Sequence, residues 1–236
     1  MIPAVISPFD ATYQFPNAEL ALTEPNGLLA IGGDLHPNRI LHAYRHGIFP
    51  WFSEDQPILW WSPDPRMVLF PKQLSVSRSL KKAIRKSGIE FTYDRAFTRV
   101  IFSCAQPRPK QPETWITAGM MDAYITLHKQ GHAHSFEVWQ DKKLIGGLYG
   151  IGIGQVFFGE SMFSFQTNAS KIAFVKAVEM LLQWDYALID CQVESLHLQN
   201  FGARNIPRRE FIRHISRLTT CDIADYAWQK STSHGE

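Results

Sequence analysis

The spacing of apolar residues changes several times along this chain, and each change marks a predicted element. Residues 36–47 read as a short helix, with Pro37 in its first turn and Gly47 as its stop. Residues 77–87 predict a helix ended by Gly88, with Leu80 and Ile84 on one face and basic residues elsewhere. Residues 89–93 read as a strand, and Asp94 is placed to cap a helix over 95–104. The proline-rich stretch 107–113 reads as a loop. Thr117 can cap a helix reaching about Gln130, stopped by Gly131. Three strands follow over 135–140, 144–151 and 155–161, joined as hairpins through Asp141-Lys142 and through 152–154. An amphipathic helix over 168–183, a strand over 186–193 and short helices near 195–201 and 208–218 complete the pattern, before a polar tail at 231–236 that reads as mobile.

Residues 1–36 and 48–66 lack such periodicity and are punctuated by Pro, Asn and Gly. A boundary near 62–66 therefore divides the chain into a small N-terminal domain (1–63) and a larger domain (64–236). Helices, a three-strand antiparallel meander, a long helix and a further strand resemble an acetyltransferase-like (GNAT-like) fold. The expected class is α/β (α+β), with a mostly antiparallel mixed sheet.

Composition adds few exclusions. The 236 residues, 45% hydrophobic and 19% charged, match a soluble globular protein long enough for a substantial core. No apolar run reaches the length of a membrane span, and the N-terminus lacks a basic signal-peptide start. Three scattered cysteines, Cys104, Cys191 and Cys221, argue for a reducing, cytoplasmic setting. The pair His132 and His134 has no neighbouring ligands to complete a zinc set, so no metal is expected. The net charge of +2 conceals a basic block at 78–110, with nine Lys/Arg against two acids. Such a block attracts polyanions, although without other information a solvated helix face explains it better.

The candidate chemistry lies in two separated regions. Trp51, Trp60 and Trp61 stand among prolines, where indoles are available to stack on flat ligands such as nucleobases. Asp190 and Gln192, two apart on a predicted strand, are expected on one face, with Cys191 on the other as an apolar filler. Glu160 ends an apolar strand expected to lie beside them. Two carboxylates and an amide near apolar strand ends suit the handling of an amine.

These regions carry a family resemblance. GLLAIGGDL (27–35), GIFPWF (47–52), LWWSPDPR (59–66), TWIT (114–117), GHAHSFEVW (131–139), GESMFS (159–164), LIDCQV (188–193) and IPRREF (206–211) resemble, in order, leucyl/phenylalanyl-tRNA–protein transferases. The resemblance implies transfer of Leu or Phe from an aminoacyl-tRNA to the α-amino group of proteins beginning with Arg or Lys. The product is marked for degradation. The ester is already activated, so no cofactor is implied, and a monomer is expected. Asp190 would receive the amine proton through Gln192 or water, Gln192 would orient the amine, and Glu160 would face the basic acceptor side chain. Leu148, Phe157, Met162, Phe174 and Ala177 would line the donor side-chain pocket. At Ala177 the family pattern has an aromatic residue and at Phe174 a smaller aliphatic one, an exchange of volume across one helix turn. Trp51 and Trp115 would stack the terminal adenine, with Tyr124 flanking it. Arg78, Lys81, Lys82, Arg85 and Lys86 would hold tRNA phosphates. Trp60 and Trp61 are expected to seal the seam between domains.

Two other classes remain open. An acetyl-CoA-dependent transferase would want a glycine-rich loop at the start of the long helix, which here reads Gln166-Thr167-Asn168-Ala169-Ser170. A non-catalytic RNA-binding module would leave Glu160, Asp190 and Gln192 without a role.

Overall fold

The computed structural model describes residues 2–85, 88–107 and 114–229. The N-terminal layer comprises β1 (Ala4–Ile6), a 3-10 turn, β2 (Leu28–Gly32), α1 (Pro37–Arg45), β3 (Phe49–Pro50) and β4 (Leu59–Trp61). Its four strands form one sheet in the order β1-β2-β4-β3, with only β1 and β2 parallel. Helix α1 follows the expectation closely. Pro37 occupies its first turn, the His36 side chain caps Asn38 N–H, and Gly47, at φ +76°, lets the chain turn out of the helix.

The second sheet takes its strands from β5 (Arg66–Leu69), β6 (Ile89–Tyr93), β7 (Ala133–Gln140), β8 (Lys143–Ile153), β9 (Val156–Ser164), β10 (Leu188–Gln192) and β11 (Arg204–Ile206). The order is β11-β5-β10-β9-β8-β7-β6, antiparallel throughout except for the parallel pair β9–β10. The helices that pack on it are α2 (Arg78–Ile84), α3 (Phe97–Ala105), α4 (Ala118–Lys129), α5 (Ala169–Gln183), α6 (Leu196–Gln199) and α7 (Arg208–Leu218). The mixed α/β class, the meander and the long helix agree with the sequence reading. Asp141 and Lys142, both at positive φ, make the two-residue turn between β7 and β8.

Two clusters of buried side chains occupy the two faces of this sheet. Val100, Ile101, Met120, Tyr124 and Leu127 of α3 and α4 join Tyr44, Ile48 and Trp60 of the N-terminal layer on one face. Ile172, Phe174, Val178 and Leu181 of α5 pack with Leu80 of α2 on the other. Each such side chain, fully buried, stabilises by roughly 1.5–3 kcal/mol. The long helix can lie this close because Gly146 lacks a side chain. A Cβ there would stand 2.6 Å from the Ala169 Cβ, so Gly146→Val would push α5 off the sheet.

Several expectations are corrected. Residues 48–66 are not irregular throughout, since they supply β3, β4 and the start of β5, and β11 also went unread. Asp94 does not cap α3. It sits at φ +50° and accepts from Ser135 N–H and contacts His134, while Glu137 accepts from Ala96 N–H at the helix start. Trp60 is fully buried, with Nε1 donating to the Gly32 carbonyl, and Trp61 Nε1 donates to the Trp51 carbonyl. His134 is stacked on Trp228 at 3.6 Å, and no group of potential metal ligands occurs among the described residues. Among the same residues no helix is long and apolar enough to cross a membrane. The proline-rich loop at 108–113 and the tail at 230–236 lie outside the described residues.

Candidate active site

The site begins where two parallel strands part. β9 and β10 pair over only three positions, from Leu188↔Val156 to Asp190↔Phe158. Beyond them β9 continues beside β8, whereas β10 shifts register against β5 between Asp190 and Gln192. A cavity of about 270 Å³ opens between the separated ends. Leu148 of β8, Phe157 and Met162 of β9, and Phe174 and Ala177 of α5 line its apolar depth, together with Val178, Leu181 and Ile189. Glu160, Asp190, Cys191 and Gln192 line its wall, and Trp51 and Trp115 stand at the same cavity. Trp51 is 44% exposed.

The register shift alters the face argument. Gln192 adopts φ +64°, a left-handed conformation rare for a residue with a side chain. Asp190 and Gln192 therefore meet through a local kink and not through regular strand alternation. Gln192 N–H donates to Asp190 Oδ1 at 2.9 Å, and Gln192 Nε2 donates to Glu160 Oε1 at 2.9 Å. Cys191, expected on the opposite face, borders the cavity as well. Burial, followed by the nearby Asp190 charge, pushes its thiol well up, which keeps it protonated and a poor nucleophile.

The two carboxylates are held by different partners. Asp190 is fully buried and forms a two-point pair with Arg66, Nε to Oδ1 at 2.8 Å and Nη2 to Oδ2 at 2.7 Å. Arg66 is itself fully buried. Its guanidinium lies between the rings of Phe49 and Phe211, 4.7 and 4.6 Å from their centroids, and its Nη1 donates to the Gly47 carbonyl. Glu160 accepts from Tyr44 Oη at 2.5 Å, from Tyr124 Oη at 2.9 Å and from Gln192. Burial pushes its carboxyl up to about 7, with the Asp190 charge adding to the rise and the three donors opposing it.

Ten of the eleven residues expected at the catalytic and substrate sites border this cavity; Tyr124 does not. It is fully buried beneath the wall and touches Glu160, so it cannot flank an adenine. Sequence reading missed Arg66, Tyr44 and Tyr149. An arginine opening the apolar run Arg66-Met67-Val68-Leu69-Phe70 was the available signal, because a charge at the head of a buried strand requires a partner. Tyr44 shares the apolar stripe of Ile40 and Leu41, and sequence alone does not distinguish it from a core residue. Arg78, Lys81, Lys82 and Arg85 are exposed on and beside α2, around the inward-facing Leu80. Among the described residues they have no acidic partner within ion-pair distance; Lys86 lies outside those residues.

Comparison with known proteins agrees with this geometry. The family profile "Leucyl/phenylalanyl-tRNA protein transferase" matches residues 68–216, and the profile of that family's N-terminal domain matches residues 33–64. A leucyl/phenylalanyl-tRNA–protein transferase of Stutzerimonas stutzeri is 58% identical over 88% of this chain and 94% of its own length. One from Pseudomonas syringae pv. syringae is 58% identical over 86% and 89%. One from Methylococcus capsulatus is 52% identical over 95% and 96%. Among solved structures, a GCN5-related N-acetyltransferase from Kribbella flavida is similar at 11% identity and a TM-score of 0.37, over 69% of this chain and 58% of that one. A likeness of that size carries no argument about chemistry. A profile match over most of the chain, relatives above half identity along nearly their whole length, and an apolar cavity walled by acids and tryptophans agree: the chain belongs to the leucyl/phenylalanyl-tRNA protein transferase family.

Proposed function

We propose that this protein moves Leu or Phe from the 3′ end of a tRNA to the α-amino group of proteins beginning with Arg or Lys, forming a peptide bond. The observation that carries this reading is the cavity itself. Its depth is apolar and closed by α5, as a Leu or Phe side chain requires, and its wall carries Glu160 and Gln192 where an amine must approach the ester. Trp51 and Trp115 take the terminal adenine, a contact worth ~1–3 kcal/mol per base. The exposed cations of α2 hold tRNA phosphates.

Asp190 acts here by position. Both of its oxygens are filled, by Arg66 and by Gln192 N–H, so it fixes the kink that aims the Gln192 amide at the amine. Glu160 is the charge that draws a cationic acceptor terminus into the cavity. Holding ester and amine in register supplies much of the acceleration, since the ester needs no further activation. A tRNA donor favours a cytoplasmic setting, and one chain supplies every residue of this cavity, in keeping with a monomer.

The test mixes purified protein with labelled Leu-tRNA and an acceptor beginning with Arg, beside a matched acceptor beginning with Ala. Label passing only to the Arg acceptor supports donor and acceptor together. No transfer from intact charged tRNA by folded protein refutes the reading, and transfer to both acceptors refutes the acceptor assignment.

A further inference from the structure

Glu160 belongs to a closed ring of oxygens. Tyr44 Oη lies 2.7 Å from Tyr124 Oη, 2.5 Å separates Tyr44 Oη from Glu160 Oε1, and 2.9 Å separates Tyr124 Oη from Glu160 Oε2. Three such contacts need three protons, and the two phenols own two. Burial, followed by the Glu160 charge, raises both phenols well above their ordinary pKa, so neither releases its proton. An ionised Glu160 therefore leaves one pair of oxygens in contact with no hydrogen between them. Adding one proton to the carboxyl completes the ring. Glu160 Oε2–H donates to Tyr124, Tyr124 donates to Tyr44, Tyr44 donates to Glu160 Oε1, and Gln192 Nε2–H also donates to Oε1.

We infer that this ring is the seat of the proton removed from the acceptor's ammonium group, with Glu160 as the catalytic base and Tyr44 and Tyr124 as its positioning residues. The inference rests on the aminoacyl-transfer reading above and adds the proton's destination. The ammonium gives one proton to Glu160, and the freed lone pair attacks the ester carbonyl. The attacking nitrogen then loses a second proton to the leaving 3′ oxygen as the carbon–oxygen bond breaks. Glu160 releases its proton to solvent once products depart, so the cycle balances. Asp190 does not compete for this role, because both of its oxygens are paired with the buried Arg66 guanidinium, whereas Glu160 accepts from the neutral donors Tyr44, Tyr124 and Gln192. The groups facing Glu160 are Tyr44 from α1, Tyr124 from α4, Tyr149 from β8 and Asp190, Cys191 and Gln192 from β10, with Arg66 of β5 behind Asp190. Arg66 is the cation among them and is committed to Asp190. Tyr149, edge-on to Tyr124 at 5.6 Å, keeps a buried hydroxyl with no hydrogen-bond partner among the described residues.

The test is a pH profile of transfer to one acceptor, measured for the wild-type protein, Tyr44→Phe, Tyr124→Phe and Glu160→Gln. Removing either phenol takes a donor from the ionised carboxylate. It also breaks the ring that only the protonated carboxyl completes, so the acid limb moves by about one unit, the effect of one charge-assisted hydrogen bond. Glu160→Gln loses that limb and at least 100-fold in rate. An acid limb unmoved in both phenylalanine variants overturns the inference, even with wild-type transfer intact. Infrared titration of the wild-type protein gives a readout independent of turnover and of variant folding. A protonated-carboxyl band that disappears near neutral pH and is missing in Glu160→Gln supports the ring. Its absence from the wild-type protein at pH 6 overturns it.

Discussion

Asp190→Asn tests whether the buried Arg66 pair maintains the site. The substitution keeps the size of the side chain but removes its charge and turns an NH₂ toward the guanidinium. Arg66 would keep the Gly47 carbonyl and the faces of Phe49 and Phe211, and would lose its only carboxylate partner among the described residues. Leaving one member of a fully buried pair uncompensated costs about 3–5 kcal/mol. For 236 residues the unfolding entropy near the midpoint is roughly 0.5 kcal/mol/K, so the melting temperature should fall by about 6–10 °C. Calorimetry of wild type and variant in the same buffer measures this. A second variant, Arg66→Met with Asp190→Leu, replaces both charges by apolar volume and should recover most of the loss. It should not recover transfer, because Gln192 N–H would have lost Asp190 Oδ1. A melting temperature for Asp190→Asn within about 2 °C of wild type would refute the argument, as would full activity in the double variant.

Three further outcomes are expected. Neutralising Lys81, Lys82 and Arg85 should reduce the slope of log affinity for tRNA against log salt by about 2 to 3, and leave turnover of a short aminoacyl-adenosine donor unchanged; binding titrations from low to high salt measure it. Ala177→Trp, which fills the cavity beside Phe174, should cut kcat/KM for Phe-tRNA at least 10-fold more than for Leu-tRNA, as competition between the two donors would record. Glu160→Gln should alter how stability depends on pH. Below about pH 4.5 the wild-type carboxyl is protonated both folded and unfolded, whereas between 4.5 and about 7 only the folded form keeps the proton. This group's contribution therefore falls as pH rises through that window, by on the order of 3 kcal/mol, and urea unfolding at pH 5 and pH 8 should show the variant gaining on wild type at the higher pH.

What the sequence revealed of the fold depended on the length of each signal. Thr117 and Gly131 bracket α4 because capping and stop residues act locally, and the Thr117 hydroxyl does accept from Met120 N–H. β3, β5 and β11 are two to four residues long. They exist because distant partners pair with them, as when Val68 meets both Asp190 and Arg204. No window of local sequence contains that information. The site divides in the same way. Its acids were legible at strand ends, and its apolar lining followed from the family resemblance. Arg66 was not, because its partner lies 124 positions away. The Asp190–Gln192 relation was read correctly as proximity but attributed to strand alternation, and the kink at Gln192 produces it instead. Asp94 was misread because its carboxylate is drawn to Ser135 N–H, 41 positions away, and not to the next helix.

The sandwich around Arg66 also has a consequence for how the protein is made on the ribosome. Phe49 is translated early, Asp190 late and Phe211 later still, and the guanidinium needs all three around it. A nascent chain halted before α7 leaves one flank of that cation uncovered. Truncated products of interrupted synthesis therefore carry the exposed cations of α2 without the Phe211 side of the Arg66 pair. The Arg66–Asp190 pair gains its last flank only as synthesis nears completion.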